Sequence, residues 1–461
     1  MPDTAEFSSL PLPAALLDNL ASLEFTTMTP VQAAALPVVL EGRDVIARGR
    51  TGSGKTAAFG LGVLTRLRLE WFAPQALVLC PTRELADQVA AELRRLGRSL
   101  PNLKVLELCG GTSIGRQIHS LTHGAHVLVG TPGRVEALLR KGSLSPDALS
   151  MLVLDEADRM LDMGFEEVLE AIMSWLPVPR QTLLFSATWP EDVQALAQAG
   201  LVNPAMVQAG DDETPPAIEE HFHLVERGGL LDGVTCLLSH YRPAQCLVFC
   251  ETKRETQETA EALRAAGWDT VALHGDLEQR ERDEALLLFS QHSARIMVAT
   301  DVAARGLDIP DLALVISMRI ARDLDVHVHR IGRTGRAGQA GRAVTLFTSK
   351  EGHQLQALAS YLDRELMDSP LPAPGHEGPS PAPMVTLAID GGKKQKLRPG
   401  DIVGALTRDG GLAADDLGRI SVQPTSSYVA VARDKADQAL NQLKNGRLKG
   451  RQFRARRLRI R

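Results

Sequence analysis

Short apolar runs alternate with longer amphipathic stretches along most of this chain. The N-terminal runs are continuously apolar, which is typical of strands buried on both faces of a parallel sheet. Helices predicted between them cover those faces, for example over residues 56–69 and from residue 81 to about residue 96. The strands predicted in this first series are 44–47, 76–80, 105–108, 126–129, 151–154 and 182–185.

The same pattern then starts again, which predicts a second α/β unit. Its predicted strands are 246–250, 270–273, 295–299, 313–317 and 343–347. Ligands of such open parallel sheets bind beyond the carboxyl ends of the strands. The polar residues that directly follow each run are therefore the candidate site residues. We expect the first unit to span 1–208 and the second to span 209–368.

A proline-rich segment and a small module of mixed pattern follow the second unit. Residues 369–383 contain six prolines and no periodic apolar pattern. This composition predicts an extended tether roughly 45 Å long at ~3.1 Å per residue. Within 384–461 we predict strands at 384–389, 401–406, 419–422 and 428–432 and a helix at 434–443. The predicted fold class is two tandem α/β parallel-sheet domains and a C-terminal α+β domain.

Composition favours a globular protein of the reducing cytoplasm. The 461 residues are 44% hydrophobic and 23% charged, and no apolar run approaches the ~20 residues of a membrane span. The first ten residues lack the basic and apolar regions of a signal peptide, so we expect none. The five cysteines are scattered and form no C-x-x-C, which favours reduced thiols over disulfides or a zinc site.

The net charge of −5 conceals an asymmetry. Residues 384–461 contain 17 Lys and Arg against 7 Asp and Glu, a net of +10, which leaves −15 for the remainder. Several of these cations form clusters, as at 393–396 and 451–459. The alternative is a tail that only improves solubility, but the clustering favours a nucleic-acid partner.

One glycine-rich stretch fits the phosphate-binding pattern G-x-x-x-x-G-K-[ST] between a predicted strand and a predicted helix. Backbone N–H groups and the helix dipole converge there on an anion, and glycines allow the phosphates to approach closely. Lys55 would reach the β- and γ-phosphates of ATP, and the Thr56 hydroxyl would bind Mg²⁺. A chance glycine-rich turn is the alternative. The residues of the pattern are Gly49, Arg50, Thr51, Gly52, Ser53, Gly54, Lys55 and Thr56.

Two consecutive acidic residues follow the predicted strand 151–154. The Asp155 carboxylate would hold the Mg²⁺ of the nucleotide, and Glu156 would orient or deprotonate the attacking water. The alternative is a solvated helix start, where acidic residues are also favoured. A buried strand in a chain that already has a phosphate loop favours the catalytic interpretation.

The second unit has no phosphate loop of its own, so we expect it to contribute to a nucleotide held between the two units. Arg333 and Arg336 are arginine-finger candidates, since a guanidinium stabilises the charge that spreads over the γ-phosphoryl oxygens. Surface ion pairs are the alternative for these arginines. The expected contributors are Gly306, Asp308, Arg330, Arg333 and Arg336.

The sequence Asp155-Glu156-Ala157-Asp158 resembles the signature of the DEAD-box RNA helicases, and other motifs follow in that family's order between Phe7 and Thr348. The resemblance implies two RecA-like domains and an RNA-dependent ATPase that unwinds short duplexes with ATP and Mg²⁺. It implies adenine contacts from Phe7, Thr27 and Gln32, a ribose contact from Asp308, and coupling of hydrolysis to unwinding by Ser186 and Thr188. The RNA contacts it implies are Pro81, Thr82, Arg83, Gly111, Thr131, Arg134, Thr252, Gln279, Arg282 and Thr300.

Two positions depart from the family pattern. Gly49 stands where alanine is common, which should be harmless because the generic phosphate-loop pattern is still complete. Ile316-Ser317-Met318-Arg319 replaces a more usual Asn-Tyr-Asp-like ending after that strand. This second departure puts local contacts in doubt, but not the activity.

The basic tail resembles the C-terminal module of the ribosome-assembly branch of this family. That resemblance implies an RNA-recognition-motif-like domain that binds a 23S rRNA hairpin in the pre-50S particle. A usual sheet of this kind stacks bases on two or three aromatics, whereas only Tyr428 lies on a plausible central strand. Tyr428 is a base platform or merely a half-buried strand residue, so we expect binding to depend on Lys393, Lys394, Lys396, Arg398 and the arginine run at 451–459.

Two alternatives remain open at this stage. One is an ATP-gated RNA clamp without unwinding, and the other is a general helicase whose tail binds any polyanion. No membrane and no obligate protein partner are expected, and the core is expected to be monomeric.

Overall fold

The computed structural model describes residues 5–49, 53–208, 218–226, 228–304, 312–335, 341–408 and 410–460, the side chain of Asp325 excepted. The chain forms two compact units, the first N-terminal and the second containing the remaining two sheets. No described helix combines the length and the apolar character needed to cross a bilayer.

The first unit is a parallel sheet between two layers of helices. Its described strands are β1 Val45–Arg48, β2 Ala76–Leu79, β3 Val105–Leu108, β4 Val127–Gly130, β5 Met151–Leu154, β6 Gln181–Ser186 and β7 Ala205–Gln208. They lie in the order β3-β4-β2-β5-β6-β1-β7. Its described helices are α1 Ala14–Ser22, α2 Pro30–Leu40, α3 Lys55–Arg66, α4 Arg83–Leu96, α5 Ile114–Leu121, α6 Pro132–Arg140, α7 Ala157–Asp162, α8 Glu166–Trp175 and α9 Glu191–Gly200.

The apolar strands of this unit are buried on both faces, as their composition predicts. Val78 of β2 packs into one hydrophobic cluster, whereas Leu77 and Leu79 pack into the cluster on the opposite face. All three side chains are inaccessible to solvent. Because both faces are covered, the carboxyl ends of the strands remain as the edge where polar residues meet.

The second unit contains a parallel sheet that repeats the strand order of the first. Its described strands are β8 Ile218–Leu224, β9 Cys246–Cys250, β10 Thr270–Leu273, β11 Ile296–Thr300, β12 Leu314–Ser317, β13 Gly341–Phe347 and β14 Asp368–Ser369. They lie in the order β10-β11-β9-β12-β13-β8-β14. The described helices are α10 Leu230–Tyr241, α11 Lys253–Ala265, α12 Gln279–Ser290, α13 Asp301–Ala304, α14 Leu324–Ile331 and α15 Gly352–Tyr361.

The C-terminal module is an antiparallel sheet with two helices on one face. Its strands β15 Met384–Ile389, β16 Leu417–Val422, β17 Ser427–Ala432 and β18 Ala455–Arg457 lie in the order β16-β17-β15-β18. The helices are α16 Pro399–Thr407 and α17 Ala436–Asn445. The predicted fold class, two tandem parallel α/β domains and an α+β module, is confirmed.

The strand predicted at 401–406 is wrong, because these residues lie in α16. Pro399 occupies the first turn of this helix, and the Asp401 carboxylate accepts a hydrogen bond of 2.8 Å from the Arg398 N–H. Ile402 and Leu406, four residues apart, are both fully buried on one helix face. The helix-start signals therefore outweigh the β-propensity of Ile402 and Val403.

The proline-rich segment is attached at several points to the parallel-sheet domain that precedes it. The Pro372 carbonyl accepts a hydrogen bond from the Cys236 thiol at 3.1 Å, and the Ala373 carbonyl lies 3.0 Å from His240 Nδ1. Further along, Arg295 donates to the Pro381 carbonyl at 3.0 Å. These bonds hold the segment against α10 and the start of β11, contacts that its predicted role as an extended tether did not include.

Candidate active site and nucleic-acid interface

The phosphate loop leads from β1 into α3, as its pattern predicts. Lys55 is the first residue of α3 and is 6% exposed, and its Nζ donates a 2.8 Å hydrogen bond to the Gly49 carbonyl. Gly54 has φ 89°, a conformation that strains residues with a Cβ. The predicted phosphate contacts Arg50, Thr51 and Gly52 lie outside the described residues.

A capping box from the preceding motif supports this loop. Thr29 caps α2, and its hydroxyl donates to the Ser53 carbonyl at 2.7 Å. Gln32 accepts from the Thr29 N–H at 2.9 Å and donates to the Gly54 carbonyl at 3.1 Å. Sequence reasoning assigned Gln32 to adenine and missed the role of Thr29, although the T-x-x-Q spacing of a capping box was available as a signal.

The other two predicted adenine contacts lie in different environments. Phe7 is only 3% exposed and packs in the hydrophobic core, while its backbone N–H donates to the Thr26 carbonyl at 3.3 Å. Thr27 is exposed to solvent. Burial gives Phe7 a packing role, so its stacking on adenine stays a prediction.

Asp155 and Glu156 are buried side by side at the carboxyl end of β5, 3% and 5% exposed. Burial raises the pKa of Asp155 to about 7; the nearby Lys55 ammonium opposes this rise and Glu156 adds to it. Glu156 has the left-handed backbone value φ 54°, and its Oε2 is buried without a hydrogen-bond partner. Two desolvated carboxylates beside a buried ammonium form a site that can bind a cation and accept a proton.

Asp158, the last acid of this group, connects it to the predicted coupling residues. Its Oδ2 accepts hydrogen bonds from the Ala187 N–H at 3.1 Å and from the Thr188 N–H and hydroxyl, both at 2.9 Å. The Ser186 hydroxyl donates to the Thr188 carbonyl at 2.8 Å. Burial alone would raise the pKa of Asp158, but the hydrogen bonds from Thr188 and the charge of Lys55 outweigh burial and lower this pKa below its usual value.

The RNA contacts predicted in the first unit lie at the ends of the adjacent strands β2, β3 and β4. Thr82 caps α4 by accepting from the Leu85 N–H at 3.2 Å. The Nε and Nη1 of Arg83 are buried without hydrogen-bond partners, and this guanidinium lies against Gly111, which has φ 71°. Pro81 is buried beside them, at the end of β2. Two buried guanidinium nitrogens without acceptors favour an anionic ligand at this edge.

The other two residues predicted at this edge are placed differently. Thr131 is the N-cap residue of α6 and is half-buried. Arg134 donates to Gln117 Oε1 at 2.5 Å and to the Thr112 carbonyl at 3.1 Å. Arg134 therefore fixes the loop after β3, so any contact that it makes with RNA shares the guanidinium with these acceptors.

In the second unit the structure separates the role of Arg330 from that of Arg333. Arg330 is 4% exposed and forms a bidentate ion pair with Asp301, with both N···O distances 2.7 Å. It also donates to the Arg319 carbonyl at 2.9 Å. These bonds give Arg330 a structural role within the second unit, and its contribution to the nucleotide site stays a prediction. Arg333 is also buried, at 3% exposure, and Gly306, Asp308 and Arg336 lie outside the described residues.

The remaining predicted RNA contacts of the second unit lie at helix starts and strand ends. Thr252 is exposed and caps α11 by accepting from the Glu255 N–H at 3.1 Å. Gln279 begins α12 and donates to Asp283 at 2.8 Å, and Arg282 follows one turn later on the same helix. Thr300 ends β11 and is 8% exposed. None of these positions conflicts with an RNA role, which stays a prediction.

The predicted cations of the C-terminal module lie on one loop. Lys393, Lys394, Lys396 and Arg398 are all exposed, and Lys396 has φ 61°. The Lys449 ammonium donates to the Lys396 carbonyl at 2.7 Å, so a fifth cation, which sequence reasoning missed, joins this loop. Tyr428 is half-buried on β17. Its two interpretations, base platform and strand residue, both remain open.

Three segments of the chain match known families. Residues 29–196 match the family described as DEAD/DEAH box helicase, residues 230–338 the helicase conserved C-terminal domain, and residues 386–457 the DbpA RNA binding domain. These segments correspond to the two α/β domains and to the basic module.

Whole-chain comparisons agree with these matches. The chain is 50% identical over 445 residues to the ATP-dependent RNA helicase DbpA of Escherichia coli (strain K12), covering 96% of this chain and 97% of that protein. It is 34% identical over 461 residues to DbpA of Bacillus subtilis (strain 168), covering 95% and 96%. Its structure resembles S. cerevisiae Dbp5 bound to RNA and ADP BeF3, with a TM-score of 0.73 and 30% identity over 79% of this chain and 96% of that chain. The chain therefore belongs to the DEAD-box family of ATP-dependent RNA helicases, and its C-terminal module belongs to the family of DbpA RNA binding domains.

Proposed function

We propose that this helicase acts on the precursor of the large ribosomal subunit in the cytoplasm, where its C-terminal module binds a 23S rRNA hairpin. The observation that carries the proposal is the exposed cationic loop of a DbpA RNA binding domain, joined in one chain to a helicase core. Binding of the hairpin recruits the core to nearby RNA, and the core then opens a short duplex locally. The module thus supplies the choice of RNA, and the core supplies the ATP-dependent work.

Mg²⁺ fits the residues at the end of β5 and the start of α3. The raised pKa of Asp155 and the buried, unpartnered Oε2 of Glu156 indicate negative charge that a cation would stabilise. Asp155 and the Thr56 hydroxyl would hold the ion through the nucleotide and water. When bound, the ion neutralises the phosphate oxygens during phosphoryl transfer.

The chain's own residues perform the remaining tasks at the ATP site. Lys55 leaves the Gly49 carbonyl to bind the β- and γ-phosphates, and the N–H groups of the loop donate to the phosphate oxygens. The free Oε2 of Glu156 accepts a proton from the attacking water. Arg333, with Arg336, stabilises the charge of the transferring group once RNA and ATP have brought the two units together. Phe7, Thr27, Gln32, Gly306 and Asp308 contact the nucleoside.

RNA binding and hydrolysis are coupled through the strand ends. Arg83 and its neighbours take RNA phosphates at one edge of the first sheet, and Thr252, Gln279, Arg282 and Thr300 take them in the second unit. The Asp158 carboxylate fixes the backbone of Ala187 and Thr188 directly after β6, next to the catalytic acids. A movement of these acids on hydrolysis is therefore transmitted to the loop after β6 through the hydrogen bonds of Asp158. This link favours unwinding over a clamp that only binds.

The proposal is tested by comparing RNA activators of the ATPase. We expect a 23S fragment that contains the hairpin to activate far below the concentration needed for a scrambled RNA of equal length, over a range of salt. Purely ionic binding would weaken equally for both RNAs as salt rises. Equal activation by the two RNAs would contradict the ribosomal assignment, and strand displacement on a short duplex, with and without ATP, separates unwinding from clamping.

The assignment of Glu156 is tested by Glu156→Gln, which keeps the shape of the side chain and removes the base. We expect RNA-stimulated turnover to fall on the order of 10²–10⁴-fold with ATP binding retained. Glu166→Gln, at the exposed start of α8, is the matched control and should leave turnover unchanged. Wild-type turnover in Glu156→Gln would mean that another group accepts the proton.

A further inference from the structure

The C-terminal sheet leaves one face without helices, and part of that face is covered by the second helicase domain. Leu387, Ile389 and Val429 point to α16 and α17. Thr386 and Ala388 therefore lie on the opposite face, paired across the sheet with Ala430 and Tyr428. In a usual RNA-recognition sheet this is the face on which bases stack.

A buried chain of hydrogen bonds crosses from this face to the second helicase domain. The Thr386 hydroxyl donates to Gln291 Oε1 at 2.9 Å and lies 2.7 Å from the Ser293 hydroxyl. The three side chains are between 0% and 5% exposed. The Met384 N–H donates to the His292 carbonyl at 3.4 Å, and His292 has the left-handed value φ 55°.

An ion pair closes the same contact at its rim. The Asp269 carboxylate, in the loop before β10, accepts from the Arg433 guanidinium and from the Ala382 N–H, both at 2.6 Å. Arg433 also donates to the Ala382 carbonyl. One carboxylate thus holds the end of the proline-rich segment and the end of β17 together.

The docking leaves the basic edge of the module open. A cavity of about 1000 Å³ lies beside the contact, and Lys444, Arg456 and Arg459 are among the residues that line it. The cationic loop at 393–398 is likewise exposed. Apart from the Arg433 ion pair, docking therefore uses uncharged residues of the sheet, and the loop cations stay available to RNA.

We propose that Thr386, Asp269 and Arg433 are positioning residues for unwinding, a role that rests on the proposed function. They hold the module on the second helicase domain. The hairpin that the module binds therefore stays at a fixed distance from the RNA strand that the helicase domain binds. A free proline-rich tether would let the module range over roughly 45 Å. Docking restricts the duplexes that the core reaches to those at one spacing from the hairpin.

The test uses the full chain and RNAs in which the duplex lies at graded distances from the hairpin. For the wild type we expect unwinding to peak at one spacing. Asp269→Arg and Arg433→Asp should each lower that peak about tenfold and flatten the dependence on spacing, as the effective concentration of the duplex falls. The double variant restores the charge pair and should recover much of the peak, a rescue that a merely destabilised module would not show.

Two further measurements isolate the docking. Amide hydrogen exchange at Ala382 and Met384 should be slow in the wild type and fast in both single variants. Thr386→Val, which keeps the shape and loses the hydroxyl, should also flatten the spacing dependence. Thr425→Val, at an exposed threonine of the same module, should not change it.

Hairpin affinity and ATPase activation by hairpin-free RNA should remain within about twofold of wild type in all these variants, since neither needs the docked geometry.

The outcomes separate this role from the proposed function. Unchanged spacing dependence and unchanged amide protection in Asp269→Arg and Arg433→Asp would overturn the positioning role alone. A wild type that unwinds equally at every spacing would overturn it as well. Equal activation by hairpin and scrambled RNA would instead overturn the ribosomal assignment, and the exchange measurement would still report on the docking.

Discussion

At the scale of single residues, the ATP site combines groups that are individually unfavourable. Asp155 and Glu156 are buried next to each other, and Glu156 also has a left-handed backbone. Such features lower the stability of the folded protein, so they are typical of sites where binding of a ligand depends on them. The charge of this site should therefore be visible in the stability of the nucleotide-free protein.

We expect Asp155→Asn to stabilise the protein in neutral and basic solution when nucleotide and Mg²⁺ are absent. The folded pKa is raised from 3.8 to about 7, so the folded state binds more protons between these values and its stability falls as pH rises through them. Asparagine does not titrate, and its advantage should grow up to about pH 7 and reach at most about 4 kcal/mol. Denaturant unfolding with a chelator, at about pH 5 and about pH 8, measures the difference. An advantage that is larger at the lower pH would contradict this sign.

Two adjacent glycines offer a matched test of the RNA edge. A Cβ at Gly111 would lie 2.1 Å from Arg83 Nη1 and would face a positive φ, whereas a Cβ at Gly110 would meet nothing within 4 Å. Since a side-chain end can move, we expect Gly111→Ala to displace the guanidinium and raise the RNA concentration for half-maximal ATPase. The strained backbone should also lower the free energy of unfolding by about 1–2 kcal/mol. Gly110→Ala should behave as wild type, and equal effects of the two changes would remove the argument for Arg83.

At the scale of elements, a helix start supports a loop that belongs to a different motif. The Thr29 hydroxyl caps α2 and also donates to the phosphate loop. We expect Thr29→Ala to cost about 1 kcal/mol of unfolding free energy, as for other N-cap residues, and to raise the KM for ATP. Thr26→Ala, at an exposed position just before, is the control for both measurements. A loss of stability with unchanged KM would confine Thr29 to the helix.

The elements also show which local signals could be trusted. Continuously apolar strands such as β2, β5 and β9 were predicted within one residue, because burial on both faces leaves little choice of composition. The strands β7, β8, β14 and β18 were missed. Ile218–Leu224 contains two glutamates and two histidines, and Asp368–Ser369 is exposed. Strands of this kind form because a neighbouring strand offers hydrogen bonds, which local composition does not reveal.

At the scale of the whole molecule, positive charge is concentrated in the C-terminal module, whereas the rest of the chain is acidic. The module carries a net +10 on a chain of net −5, and its loop cations are exposed. We expect Lys393→Ala with Lys394→Ala to weaken hairpin binding and to lower the slope of log affinity against log salt by about one per lysine. Tyr428→Ala should cost about 1–3 kcal/mol if the ring stacks on a base and little otherwise. Titrations of both variants across a salt series decide between charge and stacking, and an unchanged slope in the lysine variant would exclude phosphate contacts there.

Local sequence patterns were sufficient to predict the chemistry of the ATP site and the repeated α/β architecture. Phosphate and Mg²⁺ binding require Gly54, Lys55 and Thr56 at this spacing and acidic residues directly after an apolar strand. Residues close together in the sequence can meet these requirements, so the motifs are visible in the sequence. The family order of motifs and the charge of the tail then indicated RNA.

The tertiary structure was needed to show which of these side chains are available. It placed Arg330 in an ion pair with Asp301 and Arg134 against Gln117, and it gave Thr29 and Asp158 supporting roles. It also attached the proline-rich segment to the second unit and covered Thr386 of the module. The physical reason is that partners distant in sequence compete for each hydrogen-bonding group, and the outcome depends on the packing that brings them together.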